Sequence, residues 1–463
     1  MKKLYQIMIF SLTLICLPLS VSAQTMEDKI KNLEATVERL QQTLTEMRAE
    51  MEKSKEADMS GKGGVVRTDG ENITLSTTGG GMKLKSDNGN SFQFGGRMQL
   101  DYDDWDFDRG SEGSDSDWRR TRITAKGTVK KDWAYHLTIN IDDDNEESDI
   151  NTAFFRYDGF KPMSIWVGKF KEPFSMERLA SSNAISSIER GMILNVINQG
   201  HGHPNTAGVM LSGYHAEMSN LNWAFGVFDD DEEDADGDSN YAFTGRISAA
   251  PRINENSFFH LGAAYSEREK DIGGYSIRTR FGVNSSARET LASLPAAEDI
   301  SLWGLEAAFA TGPFSLQAEY VDVEVDGGTG MDDNMDGTPV PVRYSDLEGD
   351  GYYIQGAWTI TGEKRGYKNK GGYFGGIKPK GPMGAWELVA RYEEIDVEYG
   401  GSIGPNVERV RVDSEAEKML LGLNWYVNNN IRFMLNYIDA DSDLSGRNDI
   451  DGDAISLRAQ YAF

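Results

Sequence analysis

From Ser91 to Phe463, apolar and polar residues alternate with a period of two. Phe92, Phe94, Met98, Leu100 and Tyr102 share one face, and Gln93, Arg97, Gln99 and Asp101 share the other. Ile123, Ala125 and Val129 then alternate with Arg120, Arg122, Thr124, Lys126 and Thr128. Trp133, Tyr135, Leu137, Ile139 and Ile141 alternate with Ala134, His136, Thr138, Asn140 and Asp142. The pattern returns at 221–228, 259–265, 303–309, 314–320, 386–392, 419–425, 431–437 and 457–463. A period of two is the signature of a β-strand with two unlike faces. With their flanks the segments approach ten residues or so, enough to cross a bilayer at a tilt of about 45°. Strands of soluble sandwiches are usually nearer 5–6 residues. Aromatic residues gather at the segment ends, as in the interfacial girdles of membrane barrels.

The connectors set the strand count. Short turns at 130–132, 160–162, 311–313 and 427–430 alternate with long segments at 103–117, 142–150, 171–205, 229–240, 322–351, 396–417 and 439–453. In outer-membrane barrels short turns face the periplasm and long loops face outside. Counting 276–283 as a strand gives 17 segments and puts 311–313 on the wrong side. Treating 267–299 as one external loop restores the alternation and leaves 16 strands, with 18 as the alternative. The expected fold is therefore an all-β, 16-stranded antiparallel transmembrane β-barrel, a size that encloses an aqueous channel.

A different period precedes the barrel. Ile30, Leu33, Val37, Leu40, Leu44, Met47 and Met51 are spaced alternately by three and four residues, an a/d heptad seam. The seam predicts a short α-helical coiled coil rather than one amphipathic helix lying on a broad core. Lys2, Lys3, the apolar run 7–21 and Val21-Ser22-Ala23 read as a secretory leader; Ser11, Thr13 and Ser20 interrupt the run and argue against a membrane anchor. The expected organisation is a signal peptide over 1–23, a periplasmic coiled coil over 24–56, a linker over 57–80 and the barrel over 81–463.

Charge and composition narrow the chemistry. The formal net charge of −27, or −29 without Lys2 and Lys3, repels nucleic acid as a partner. Cys16, the only cysteine, lies in the leader, so the mature chain has neither disulfides nor a thiol nucleophile. Mean hydropathy is −0.51, yet a membrane barrel escapes hydropathy because lipid-facing residues alternate with polar ones. The sequence contains no Gly-x-Ser-x-Gly motif, P-loop or metal-ligand helix, so neither enzyme activity nor a cofactor is expected. His201 and His203 in the long third loop read as solvated rather than metal-binding.

Several stretches resemble the phosphate- and polyphosphate-selective porins. Asp87-Asn88-Gly89-Asn90 with Phe92, Phe94 and Gly95-Gly96-Arg97 resembles the family's first strands, and Arg119-Arg120-x-Arg122 with Lys126-Gly127 and Asp132-Trp133 its second hairpin. Val167-Gly168-Lys169-Phe170-Lys171-Glu172-Pro173-Phe174-Ser175 resembles the entry to the constriction loop. Thr361-Gly362-Glu363, Lys378-Pro379 and Gly384-Ala385-Trp386-Glu387-Leu388 resemble the approach to a late strand. The resemblance implies a homotrimeric outer-membrane porin, with a pore in each barrel and an external loop folded inward. Lys169, Lys171, Glu172, Pro173 and Phe174 would begin that loop. The strand ending at Phe463 resembles the signal read by the barrel-assembly machinery.

Selectivity then depends on lumen charge. Arg97, Arg120, Arg122, Lys126, Lys130, Arg246, Arg391, Lys418, Arg432 and Arg458 fall on polar faces. Guanidinium forks suit phosphate, and the pore-lining candidates for anion binding are Arg97, Arg120, Arg122, Lys126, Arg246, Arg391, Arg432 and Arg458. Strict alternation turns Arg119 away from Arg120 and Arg122. Two readings remain open: an anion channel for phosphate or polyphosphate, or a weakly selective or cation-preferring pore in which those cations pair with Asp101, Glu306, Glu319, Glu387 and Glu393. Acidic stretches at 142–144, 229–234 and 439–453 would repel anions at the mouth, or bridge to lipopolysaccharide through divalent cations. Asp332-x-Asn334-x-Asp336-Gly337 resembles half a calcium loop, but Arg343 stands where its bidentate Glu would be. The coiled coil could also tether the outer membrane to peptidoglycan.

Overall fold

The computed structural model describes residues 65–68, 71–77, 81–108, 111–141, 150–194, 205–229, 241–333, 337–404, 411–445 and 449–463. All of these belong to one compact unit, Gly64–Phe463. The leader, the heptad run, His201 and His203 lie outside the described residues.

Sixteen antiparallel strands close into a barrel. The first eight are β1 Ser91–Phe107, β2 Ser111–Val129, β3 Trp133–Asn140, β4 Ile150–Tyr157, β5 Met163–Phe170, β6 Thr206–His215, β7 Leu221–Asp229 and β8 Tyr241–Ala249. The second eight are β9 Ser257–Thr279, β10 Glu289–Thr311, β11 Phe314–Gly327, β12 Leu347–Thr359, β13 Ala385–Tyr399, β14 Val412–Tyr426, β15 Ile431–Asp443 and β16 Ile450–Ala462. β16 pairs with β1 from Gly452↔Phe107 to Ala462↔Arg97. The seam ends on two backbone hydrogen bonds of 2.9 Å, Phe463 N to Gly96 O and Gly96 N to Phe463 O. Closure leaves the barrel no unpaired strand edge.

The strand count agrees with the sequence, but the reason given for it does not. The segment 267–299 is not a loop: β9 and β10 pair through it as far as Thr279↔Glu289, leaving only 280–288 as the tip. Tyr275, Ile277, Phe281, Val283 and Leu294 on this hairpin are buried with Val321, Val323, Ile395 and Ile438 of the wall. The hairpin tip thus packs into the external half of the barrel. A neighbouring apolar wall makes that burial favourable.

The loops expected at 322–351, 396–417 and 439–453 are likewise largely strand. Alternation continues there with its polarity reversed. Along β11 the inward residues change from Gln317 and Glu319 to Val321, Val323 and Val325, while the outward ones change from Leu316 and Tyr320 to Asp322, Glu324 and Asp326. β13, β14 and β15 repeat the change, with Tyr392, Met419 and Tyr437 facing outward just before the acids begin. Below the outward tyrosines the exterior suits lipid; above them it suits water and the interior is a packed core.

Part of the expected linker is ordered too. Val65–Thr68 and Glu71–Ser76 form an antiparallel pair, and Met82–Ser86 joins it to the start of β1.

Candidate functional site

The third external segment turns inward after β5. A short helix, α1 (Met176–Leu179), starts it, with Ser175 as N-cap accepting from Arg178 N at 3.1 Å. Residues 172–178 are all buried. Charged side chains of the wall hold the segment at several points. Glu172 receives Thr206 Oγ1 at 3.1 Å, Thr244 Oγ1 at 2.8 Å and Arg268 Nη2 at 2.8 Å. Glu319 accepts the backbone N–H groups of Met176 and Glu177 at 2.9 and 2.8 Å and the Tyr353 hydroxyl at 2.6 Å. Arg391 reaches Glu177 at 2.6 Å and Glu393 at 2.7 Å, with its guanidinium 3.7 Å above the Tyr353 ring. Phe174 sits against Gly304, where a Cβ would come within 2.9 Å of the ring.

Glu189 completes these clamps. Arg119, Arg120 and Arg458 converge on its carboxylate at 3.0, 3.3 and 2.7 Å, and Arg458 also binds Asp101 at 2.6 Å. Burial alone would raise the Glu189 pKa, but the three guanidiniums outweigh it and hold the group well below the usual carboxylate range.

The segment leaves a lumen cavity of about 1270 Å³, bounded by β1–β8, the segment itself, the β9–β10 tip and the periplasmic connection 360–384. That connection carries its own small hairpin, Arg365–Lys368 paired with Tyr373–Ile377. Arg246 holds it through the Gly371 and Gly372 carbonyls at 3.1 and 2.7 Å, and the Tyr367 hydroxyl meets His260 Nδ1 at 2.7 Å.

Among the described residues, the cavity is lined by fifteen cations and one acid. The cations are Arg97, Arg119, Arg120, Arg122, Lys126, Arg156, Lys169, Lys171, Arg190, Arg246, Arg278, Arg280, Arg288, Lys368 and Lys370; the acid is Glu189. The reason is that the wall acids are already engaged. Glu306 pairs with Arg246 at 2.6 Å, Glu387 with Arg365 at 2.5 Å, Glu393 with Lys418 at 2.8 Å and Asp101 with Arg458. Lys171 donates to the Arg178 and Ala180 carbonyls, at 2.5 and 2.9 Å. Burial, then the charges of Arg190, Arg97 and Arg178, push its pKa well below the lysine range.

The residues expected to line the pore divide into two groups. Arg97, Arg120, Arg122, Lys126 and Arg246 reach the cavity; Arg97 lies 3.2 Å from Asn183 Oδ1, and Arg122 lies 2.5 Å from Asn140 Oδ1. Arg391, Arg432 and Arg458 sit behind it: Arg432 donates to the Ile185 carbonyl at 2.8 Å and lies 4.6 Å over the Tyr426 ring. Lys169, Lys171 and Pro173 touch the cavity, while Glu172 and Phe174 are buried under it.

Arg119 is a correction. The β1–β2 register shifts between Gln99↔Arg120 and Asp101↔Asp117, so two residues of β2 oppose Leu100. Such a bulge interrupts alternation, and Arg119 joins Arg120 on the inner side. Arg156 on β4 was also missed, as were Arg278 at the inward-packed end of β9 and Arg190, Arg280, Arg288, Lys368 and Lys370, which lie on inward-folded connections. The alternation at 276–283 and the turn-forming Asn369-Lys370-Gly371-Gly372 were the available signals.

Residues 92–463 match the family described as phosphate-selective porin O and P. The chain belongs to that family. Its curated relative Porin O of Pseudomonas aeruginosa is 34% identical over 428 residues, covering 86% of this chain and 94% of the relative. The barrel is similar to that of a loop L8 deletion mutant of OmpT from Vibrio cholerae, with a TM-score of 0.52 at 10% identity, over 81% of this chain and all of the other. It also resembles an anion-selective porin from Comamonas acidovorans, with a TM-score of 0.50 at 12% identity, over 81% of this chain and 100% of that one. This phosphate-selective porin O and P family member is an outer-membrane channel.

Proposed function

We propose that the channel prefers anions and takes phosphate among them. The carrying observation is that, among the described residues, the cavity is lined by fifteen cations and one triply paired acid. A lumen of one sign raises the local concentration of counter-ions and excludes co-ions. Many cations rather than one tight cage let an ion pass from site to site. Arg97, Arg120, Arg122 and Lys126 are the anion-contacting residues in this reading; Arg246, neutralised by Glu306, borders them and holds the periplasmic connection, while Arg391, Arg432 and Arg458 act by positioning the inward segment. Its entry, Lys169, Lys171, Glu172, Pro173 and Phe174, forms the constriction. Family membership and the relative Porin O support the phosphate assignment.

The assembly is proposed to be a homotrimer. That proposal rests on membership of the porin family, because the apolar outward face of β3–β5, like that of the other strands, equally suits lipid.

The test is a salt-gradient reversal potential in planar bilayers, repeated with phosphate added. Anion preference, block of chloride current by phosphate and conductance steps in threes are expected. A cation-preferring reversal potential overturns the anion reading and leaves the porin.

A further inference from the structure

The inward face of β4–β7 breaks the polar pattern of a water-filled lumen. Phe154, Trp166 and Phe170 point inside it with Met210 and Phe228. Their rings form one continuous set: Phe154–Trp166 centroids lie 4.8 Å apart, Trp166–Phe170 5.6 Å and Phe170–Phe228 5.7 Å. Phe170 and Phe228 are buried, but Phe154 and Trp166 are only partly covered and line the cavity.

The arrangement is built rather than incidental. Glycines face inward between the rings, and a Cβ at Gly208 would come within 2.6 Å of the Phe228 ring. The Trp166 indole N–H donates to Ser212 Oγ at 2.8 Å, which fixes the ring plane. Arg156 lies 4.7 Å over the same ring and is itself held by Asp158 at 2.8 Å. Inorganic phosphate has no use for apolar rings. Partly exposed aromatics beside convergent cations suit a ligand with one apolar face and one charged group.

The register places the two halves side by side. Lys126 pairs with His136, and His136 pairs with Phe154, so the strip begins two strands from the cationic face of β2. Two strand spacings are roughly 10 Å, a gap that the Lys126 side chain narrows.

We infer that the Phe154–Trp166 strip is a subsite for the organic part of ring-bearing phosphate monoesters, which bind with the ring on the strip and the phosphate on the Arg122–Lys126 face. The inference rests on the anion reading and adds a substrate class to it. Sugar faces and planar bases share the required chemistry.

The experiment measures the concentrations that half-block chloride current for inorganic phosphate, glycerol phosphate, a hexose phosphate and a nucleoside monophosphate. Stacking on an aromatic face is worth about tenfold in affinity. One or both ring esters should therefore block at about one tenth the concentration of inorganic phosphate, and glycerol phosphate should match inorganic phosphate. Hexose phosphate alone doing so assigns a sugar face; the nucleotide alone doing so assigns a planar base. In Phe154→Ala and Trp166→Ala channels that retain wild-type conductance in potassium chloride, the ratio of the two half-blocking concentrations should fall to about one; Trp166→Tyr should keep most of it. The inference is overturned if ring esters block no better than glycerol phosphate, or if the ratio survives Phe154→Ala combined with Trp166→Ala. Chloride preference measured in the same bilayers separates the two failures: its loss sinks the anion reading, whereas its persistence without a ring preference sinks only the subsite.

Discussion

Glu189 meets three guanidiniums, and its pairing sets how the lumen cations are balanced. Its depressed pKa means that the clamp is present above the unfolded carboxylate range and is lost only well into acid. In Glu189→Gln the three arginines lose their shared anion, and breaking a buried pair costs about 3–5 kcal/mol. The Glu189 side chain is 17% exposed, which places the change toward the lower figure. We expect stronger anion preference and noisier single channels, read in the same bilayer recording. Arg122→Gln should shift the reversal potential toward cations. Lys171 makes the opposite pH statement: its charge is present at low pH and is lost as pH rises through a pKa displaced below the lysine range. Anion preference should therefore decline below the pH at which an ordinary lysine titrates, and Lys171→Met should remove that step. A reversal potential that is flat with pH in the wild type would refute it.

The inward segment depends on close packing as well as charge. A Cβ on residue 304 would sit 2.9 Å from the Phe174 ring, so Gly304→Ala must shift the ring or the loop that carries it. A changed single-channel conductance with unchanged barrel assembly is the expected outcome. Arg391→Met leaves Glu177 and Glu393 buried without their shared partner. The cost is about 3–5 kcal/mol, measurable as a lower denaturant midpoint. These elements were only partly legible. The motif from Val167 to Ser175 pointed to the segment, but its anchors on Arg268, Glu319 and Arg391 are 96 to 214 residues away along the chain. The β9–β10 hairpin was misassigned because 276–283 counted as a separate strand and upset the alternation of turns, whereas residues up to Thr279 continue β9.

Across the whole barrel, the reversal of polarity above the outward tyrosines decides where the acids lie. Asp396 and Glu415 are register partners on the outer surface, as are Asp441 and Asp451. They do not line the described cavity, so the objection that 439–453 would repel anions at the mouth loses most of its force. Asp396→Asn combined with Glu415→Gln should leave the reversal potential where it is, in contrast to Arg122→Gln. An equal shift would show that the outer acids do reach the conduction path.

Period-two alternation determined the all-β barrel and the inward face bearing Arg97, Arg120, Arg122 and Lys126, because the bilayer forces lipid-facing and lumen-facing residues to alternate within each strand; the pairing of β9 with β10 through 267–299 decided why the strands number sixteen. Tertiary structure decided which cations remain for the lumen. Whether a charge lines a channel or clamps a loop depends on the partner opposite it. For Arg391, Arg458 and Glu189 those partners lie on elements distant in sequence, and for Arg119 a single bulge turned the side chain inward.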